Sequence, residues 1–138
     1  MQHPVMLPVQ IVWEDLHFAA QVKAPGFLFT TEGDTVPTVL ENLRGLIDDY
    51  LAHEGKHHDH WQGIRPEDLQ FECTYDLRAF FAHYKELKIS AIATRAGINA
   101  NLLQQYVSGN KRASESQAKK IEAAVHLLAN ELRQIALL

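Results

Sequence analysis

Residues 89–109 read Ile89-Ser-Ala-Ile-Ala-Thr-Arg-Ala-Gly-Ile-Asn-Ala-Asn-Leu-Leu-Gln-Gln-Tyr-Val-Ser-Gly109, and this stretch decides how the C-terminal half of the chain folds. Apolar side chains recur at helical spacing on both sides of Gly97, a residue type that tolerates the positive φ of a tight turn. The pattern predicts a first helix that Ser90 caps and that ends at Gly97. A second helix, capped by Asn99, should end at Ser108-Gly109. Two such helices form a helix-turn-helix, which is typical of proteins that bind the major groove of DNA.

The outer face of the second helix carries the candidate base contacts. Asn and Gln side chains pair with adenine through two hydrogen bonds, each good pair being worth about 1–3 kcal/mol of discrimination, and a short alanine can meet a thymine methyl. Cations just beyond the helix, and the N-terminal amides of both helices, are placed to bind phosphate. The candidate DNA-binding residues are Ser90, Asn99, Ala100, Asn101, Gln104, Gln105, Ser108, Lys111 and Arg112. Asn101 and Gln105, four residues apart on one face, are the strongest of them, although helix-turn-helix shapes also occur as packing units without DNA.

Charge divides the chain into two parts of opposite sign. Residues 1–75 hold four basic and twelve acidic side chains, a net of −8, whereas residues 76–138 hold nine basic and five acidic ones, a net of +4. An acidic part suits a basic partner and a basic part suits phosphate. Chance scatter of charge is the alternative explanation.

The N-terminal part predicts a small sheet with one helix. Three strand-like runs, at 9–13, 17–22 and 27–31, precede a helix that Thr35 caps and that extends to about residue 52. Residues 53–66 are expected to form a polar, His-rich loop. Leu69–Tyr75 then alternates apolar and polar side chains and is the clearest strand of the chain. The order βββαβ places a helix against one face of a four-stranded sheet.

Further helices follow from residue 76 to the C-terminus. Asp76 caps the first of them, and Ser114-Glu-Ser-Gln117 has the form of a capping box that opens a long final helix. Apolar residues on this helix are spaced almost as a heptad, at Ile121, Val125, Leu128, Leu132 and Ile135. We expect the first half of this seam to pack inside the protein and the part from Leu132 onward to pair two copies of the chain.

Other side chains with possible chemistry favour structural roles. Four histidines lie within His53–His60, and they indicate a solvated linker better than a metal site, because Gly55 interrupts the helix that would align them. The single cysteine, Cys73, lies on the apolar side of its strand and is interpreted as a core residue rather than a nucleophile. Glu14, Asp15, Glu32 and Asp34 are expected in turns, and Asp48, Asp49 and Glu54 on the polar side of the helix, with no Asp or Glu inside the first three strands. We therefore predict no catalytic residues, no metal and no cofactor.

The helix-turn-helix resembles the Cro/C1-type (XRE) domains of phage repressors over residues 76–138. The residues that match the small, turn, core and end positions of that family are Ala93, Gly97, Ile98, Leu103 and Ser108-Gly109. The resemblance implies that Ala100, Asn101 and Gln105 contact bases and that dimers bind palindromic sites. Ala100 departs from the family, in which a polar side chain is common at this position.

The N-terminal part resembles HicB-type antitoxins. The match rests on Gly33-Asp-Thr-Val-Pro-Thr-Val-Leu-Glu-Asn-Leu43 and on the order βββαβ with a helix-turn-helix behind it. The resemblance implies a partial RNase H-like fold that has lost catalysis. It also implies a HicA-like partner, which in that family is a small basic RNase toxin. The histidine cluster is not explained by this resemblance.

Together these features predict an α+β protein: a βββαβ partial RNase H-like (HicB-like) domain at 1–75 followed by an all-α Cro/C1-type domain at 76–138. The expected function is that of a DNA-binding antitoxin, not an enzyme, that neutralises a HicA-like toxin and represses its own operon. The expected partners are double-stranded DNA with a palindromic operator, the toxin, and a second copy in a homodimer or higher oligomer. No window is apolar enough to span a membrane and no signal segment starts the chain, so a cytoplasmic location is expected. A stand-alone transcription regulator, whose N-terminal domain binds a small ligand or oligomerises, is the alternative.

Overall fold

The first unit of the structure is built on a four-stranded mixed sheet. The computed structural model describes residues 4–138, so residues 1–3 of the predicted first domain lie outside the described part. The strands of the sheet are β1, Val5–Glu14, β2, His17–Ala24, β3, Phe27–Gly33, and β4, Leu69–Tyr75. They follow the order β3-β2-β1-β4, with antiparallel pairs except for β4, which runs parallel to β1. All four predicted strands are present, and the first three are longer than predicted.

A two-residue turn joins β1 to β2. Asp15 and Leu16 both have positive φ, 52° and 65°. Positive φ at both central positions defines the mirror-image turn whose twist matches that of a hairpin. Neither residue is glycine, so this turn costs backbone energy that the paired strands must offset.

Helix α1, Val36–Ala52, packs against β2 and β3. It begins where predicted, because the Thr35 hydroxyl accepts a hydrogen bond from the Thr38 amide at 3.2 Å. The buried Thr31 hydroxyl on β3 donates to the Val39 carbonyl at 2.8 Å and fixes the first turn of the helix to the sheet. The side chains that α1 buries recur at helical spacing and are Val36, Val39, Leu43, Ile47, Tyr50 and Leu51.

The predicted solvated loop at 53–66 is instead a folded segment. It contains two short 3-10 helices, Glu54–His57 and Asp59–Trp61, and a third at Pro66–Asp68 follows it. Trp61 is only 2% exposed, and its indole N–H donates to the Pro25 carbonyl at 2.6 Å. The loop prediction was wrong because one buried aromatic side chain, Trp61, anchors this otherwise polar segment to the β2–β3 turn.

Arg44 joins α1 to β4, the edge strand at the opposite end of the sheet from β3. Its guanidinium donates to the carbonyls of Pro66 at 3.1 Å and Leu69 at 3.0 Å, and it lies 4.9 Å from the centroid of the Phe71 ring. These contacts hold the start of β4 in place. No spacing in the sequence indicated them, because the three partners are more than twenty residues away from Arg44.

Helix α2, Leu77–His83, begins directly after β4. Asp76 caps it as predicted, since its carboxylate accepts a hydrogen bond from the Ala79 amide at 2.7 Å. Burial raises the pKa of the Asp76 carboxyl and Glu14 adds to this, whereas the Ala79 hydrogen bond and the charge of Arg78 lower it. The chain divides into two compact units within this helix, the first ending at Ala79 and the second spanning Phe80–Leu138.

The second unit is all helical. Its complete helices are α3, Ile89–Ala96, α4, Ala100–Ser108, and α5, Glu115–Gln134. Helix α3 packs against both α4 and α5. Ser114 caps α5 as predicted, because its hydroxyl accepts a hydrogen bond from the Gln117 amide at 3.1 Å. Within residues 4–138, no helix is long and apolar enough to cross a bilayer.

The predicted fold class needs correction. A HicB-like RNase H-like domain followed by a separate Cro/C1-type domain is wrong, since the described residues, 4–138, form one α+β fold with a four-stranded mixed sheet and five α-helices. Its 138 residues correspond to the usual size of a single domain and are too few for two. The strand-first order agrees with the N-terminal part only.

Candidate nucleic-acid interface

The turn between α3 and α4 has the geometry that its sequence predicts. Gly97 is left-handed, with φ 70° and ψ 31°, and its amide donates to the Thr94 carbonyl at 3.2 Å. The next amide, of Ile98, donates to the Ala93 carbonyl at 3.0 Å, which completes a Schellman motif. The Ile98 side chain is buried, as this motif favours. Asn99 then adopts an extended conformation and starts α4, so that three residues connect the two helices.

Asn99 caps α4 as predicted, and this role limits what it can do for DNA. Its side-chain oxygen accepts hydrogen bonds from the amides of Asn101 at 2.8 Å and Leu102 at 3.3 Å. Those two amides are therefore satisfied within the protein and are not available for a phosphate. Of the predicted phosphate contacts at the start of α4, the Ala100 backbone amide and the amide nitrogen of the Asn99 side chain can still donate.

Ser90 does not cap α3, contrary to the prediction. The helix begins two residues earlier than predicted, at Ile89, and Lys88 stands at the cap position without a side-chain hydrogen bond. Ser90 lies exposed in the first turn, where its carbonyl accepts a hydrogen bond from the Thr94 hydroxyl at 3.1 Å. The error is a shift of two residues, which arises because Lys88 provides an extended backbone without a capping side chain.

The polar face of α4 holds the predicted base contacts together. Asn101, Gln104 and Ser108 are exposed, and so is Ala100 at the start of the helix. Gln105 is half-buried rather than exposed as predicted. The chain after α4 turns back at this point, since the Lys111 amide donates to the Gln105 carbonyl at 3.2 Å. Opposite this face, Leu103 and Tyr106 are buried.

The two cations that follow α4 are exposed. Lys111 and Arg112 stand just beyond Gly109, which ends the helix with φ 86°. The backbone hydrogen bond from Lys111 to the last turn of α4 fixes where this basic loop starts. The start of this basic loop is therefore held against the last turn of α4.

One ion pair of the second unit was not predicted from the sequence. Arg95, at the end of α3, donates to the Glu131 carboxylate of α5 at 2.5 Å. The pair joins two helices that are 36 residues apart in sequence, and no local pattern indicates it. Arg95 is consequently engaged within the protein, whereas Lys111 and Arg112 are not in any ion pair of the described residues.

The apolar seam of α5 divides as predicted between a packed and an open part. Ile121 is buried, and Val125 and Leu128 are half-buried. Leu132 is 55% exposed and Ile135 is 61% exposed. The helix ends at Gln134, so Ile135 lies just beyond it and not on it.

The first unit presents carboxylates singly rather than as a cluster. Glu14, Asp15, Asp34 and Asp49 are exposed. Glu14 ends β1 and Glu32 lies in β3, which corrects the prediction that both belong to turns and that the first three strands hold no Asp or Glu. Glu32 projects from the outer face of the sheet, with its carboxylate 3.5 Å from the ring of His17. In the described part of the chain, no three His, Cys, Asp or Glu side chains come together in a group that could hold a metal ion.

The histidine segment uses its rings in local contacts. The His58 ring accepts a hydrogen bond from the His60 amide at 3.2 Å, and the His60 ring packs edge-on against Trp61 with centroids 4.6 Å apart. The His53 ring lies 2.9 Å from the Asp49 carbonyl. Cys73 is half-buried on β4, where burial raises the pKa of its thiol. A raised pKa favours the unreactive thiol over the thiolate.

The outer face of the sheet is open, and it carries polar side chains beside two exposed apolar ones, Met6 and Leu28. Thr30, Gln21, Gln10 and Thr74 form a transverse row, because each faces the next across the strand register. All four are exposed, and Glu72 stands in the neighbouring row beside Pro8. This open sheet face therefore offers hydrogen-bonding groups next to negative charge.

No protein-family model, no curated protein and no solved structure matches this chain. The resemblances to the Cro/C1-type and HicB families therefore remain predictions from short motifs.

Proposed function

We propose that this protein is a sequence-specific DNA-binding regulator that uses α4 in the major groove. The observation that carries the proposal is the α3–turn–α4 arrangement: a Schellman turn, an N-cap and a second helix whose outer face is polar while its inner face is buried. Recognition helices contact bases with side chains near their N-terminal end. In α4 these are Ala100, Asn101, Gln104 and Gln105, with Lys111 and Arg112 beside them for phosphate.

Lys111→Ala tests the phosphate contact. Because a phosphate contact is independent of sequence, the variant should bind all duplex DNA more weakly and reduce the slope of log affinity against log salt by about 1. Binding to duplex DNA is measured by fluorescence anisotropy over a series of salt concentrations. Lys119→Ala is the matched control, since it removes the same charge from an exposed lysine that is already paired with Glu122. An equal change of slope in both variants would contradict the assignment.

We further propose that the protein is an antitoxin, located in the cytoplasm and without enzymatic activity, whose acidic first unit binds a HicA-like basic RNase. The support is charge and surface: residues 1–75 carry a net −8, and the open sheet face presents Glu32 and Glu72 beside uncharged polar groups. A basic partner is attracted to such a surface and associates faster with it. The toxin would then bind the first unit while the second unit binds DNA.

The partner proposal is tested by co-expression with the product of a short, basic reading frame adjacent to this gene. We expect the two proteins to co-purify at low salt and to separate as the salt concentration rises. Asn101→Ala should leave co-purification unchanged, because it lies in the second unit. If no adjacent basic product binds, the protein is a stand-alone regulator instead.

We also propose that the DNA-bound form is a homodimer. Leu132 and Ile135 are exposed apolar residues at the end of α5, and a second copy would remove them from water. Two copies related by a two-fold axis would place one α4 helix on each half of a palindromic operator. A higher oligomer requires a further contact surface.

A further inference from the structure

The outer face of α4 carries no charged side chain. Its exposed positions are a methyl group at Ala100, amides at Asn101 and Gln104, and a hydroxyl at Ser108, and the amide of the half-buried Gln105 lies beside them. Gln104 and Gln105 follow Asn101 by three and four residues, so both lie next to it on the helix surface, one turn closer to the C-terminal end of α4. The Ser108 hydroxyl donates to the Gln105 carbonyl at 3.1 Å, so this group is already engaged with the helix backbone.

These side chains suit A·T base pairs better than G·C base pairs. An Asn or Gln amide forms two hydrogen bonds with adenine, to the N7 acceptor and the N6 donor, whereas guanine is bound chiefly by Arg or Lys through O6 and N7. The Ala100 methyl suits the methyl group of thymine. The cations of the second unit nearest to this face do not lie on it: Lys111 and Arg112 follow the helix, and Arg95 is paired with Glu131.

We infer that α4 selects A·T base pairs, with Asn101 and a flanking glutamine bound to adenines and Ala100 against a thymine methyl. The contacted part of each operator half-site is then composed of A·T pairs, without a required guanine. This inference rests on the proposed function of α4 as a recognition helix, and it adds the base specificity.

The experiment selects binding sites for the full-length protein from a library of randomised duplex DNA. We expect enrichment of sites whose central contacted positions are A·T. Asn101→Ala should lose about 5- to 150-fold in affinity for the selected duplex and relax the preference at one adenine, because one bidentate pair is removed. Asn130→Ala is the matched control, since it also replaces an exposed asparagine in a helix, but on α5.

Base analogues test the same contacts with the unaltered protein, so the result does not depend on the folding of a variant. Replacing an enriched adenine by 7-deazaadenine removes only the N7 acceptor and should weaken binding. Replacing an enriched thymine by deoxyuridine removes only the methyl group and should weaken binding of the wild-type protein. With Ala100→Gly, the same replacement by deoxyuridine should have little further effect.

The possible failures are distinguishable. Specific sites with required G·C pairs at the contacted positions would overturn the inference but leave the DNA-binding proposal standing. Equal losses in Asn101→Ala and Asn130→Ala, or unchanged affinity for both analogues, would also overturn it. Absence of any enriched sequence would contradict the proposed function itself.

Discussion

Replacing Trp61 by alanine is expected to destabilise the protein by about 3–5 kcal/mol, a typical cost of removing a large buried aromatic side chain. Trp61 is 2% exposed and stacks on Phe27 with ring centroids 5.5 Å apart. Its indole N–H also donates to the Pro25 carbonyl at 2.6 Å. The substitution would therefore leave a cavity beneath the 53–66 segment and an unpaired carbonyl in the β2–β3 turn.

Chemical denaturation followed by circular dichroism measures this loss. Trp61→Phe keeps an aromatic ring but removes the hydrogen bond, so we expect an intermediate loss of about 1–2 kcal/mol. His60→Ala is the control, because His60 is the exposed neighbour that packs on the same indole. A loss below about 1 kcal/mol for Trp61→Ala would show that the segment is the solvated linker that its composition suggests.

The features that the sequence predicted correctly are local. The alternation of Leu69–Tyr75 reports burial directly, because side chains of a strand alternate between two faces. The caps at Thr35, Asn99 and Ser114 depend on side chains within three residues of the amides that they bind. The turn at Gly97 was also predicted from a local feature, because one position of the turn needs a positive φ and glycine adopts it readily.

The features that the sequence did not predict depend on contacts between residues that are far apart in the chain. Trp61 binds Pro25, 36 residues earlier, and Arg95 binds Glu131, 36 residues later. Gln105 is half-buried because the chain returns over the end of α4, which no helical period encodes. The fold class was wrong for a related reason. Short motifs gave two family resemblances, and each was extended to a complete domain that a chain of 138 residues does not contain.

Leu103→Ala is expected to destabilise the protein by about 2–5 kcal/mol and to abolish specific DNA binding at physiological temperature. Leu103 is 0% exposed on the inner face of α4, opposite the polar residues that we assign to the bases. Its loss leaves a cavity where α4 packs against α3. Because the base contacts depend on the orientation of α4, a loosened helix would lose specificity before it loses its electrostatic attraction to DNA.

Leu102→Ala is the matched control, since it removes the same atoms from the adjacent, half-buried position and should cost less, about 1–2 kcal/mol. Unfolding is followed by circular dichroism and by tryptophan fluorescence, because both tryptophans, Trp13 and Trp61, lie in the first unit. If the chain unfolds as one small domain, Leu103→Ala shifts both transitions together. A shift in the circular dichroism transition alone would mean that the two compact units unfold independently. Equal losses in Leu102→Ala and Leu103→Ala would contradict the assigned inner face of α4, and with it the assignment of the opposite face to DNA.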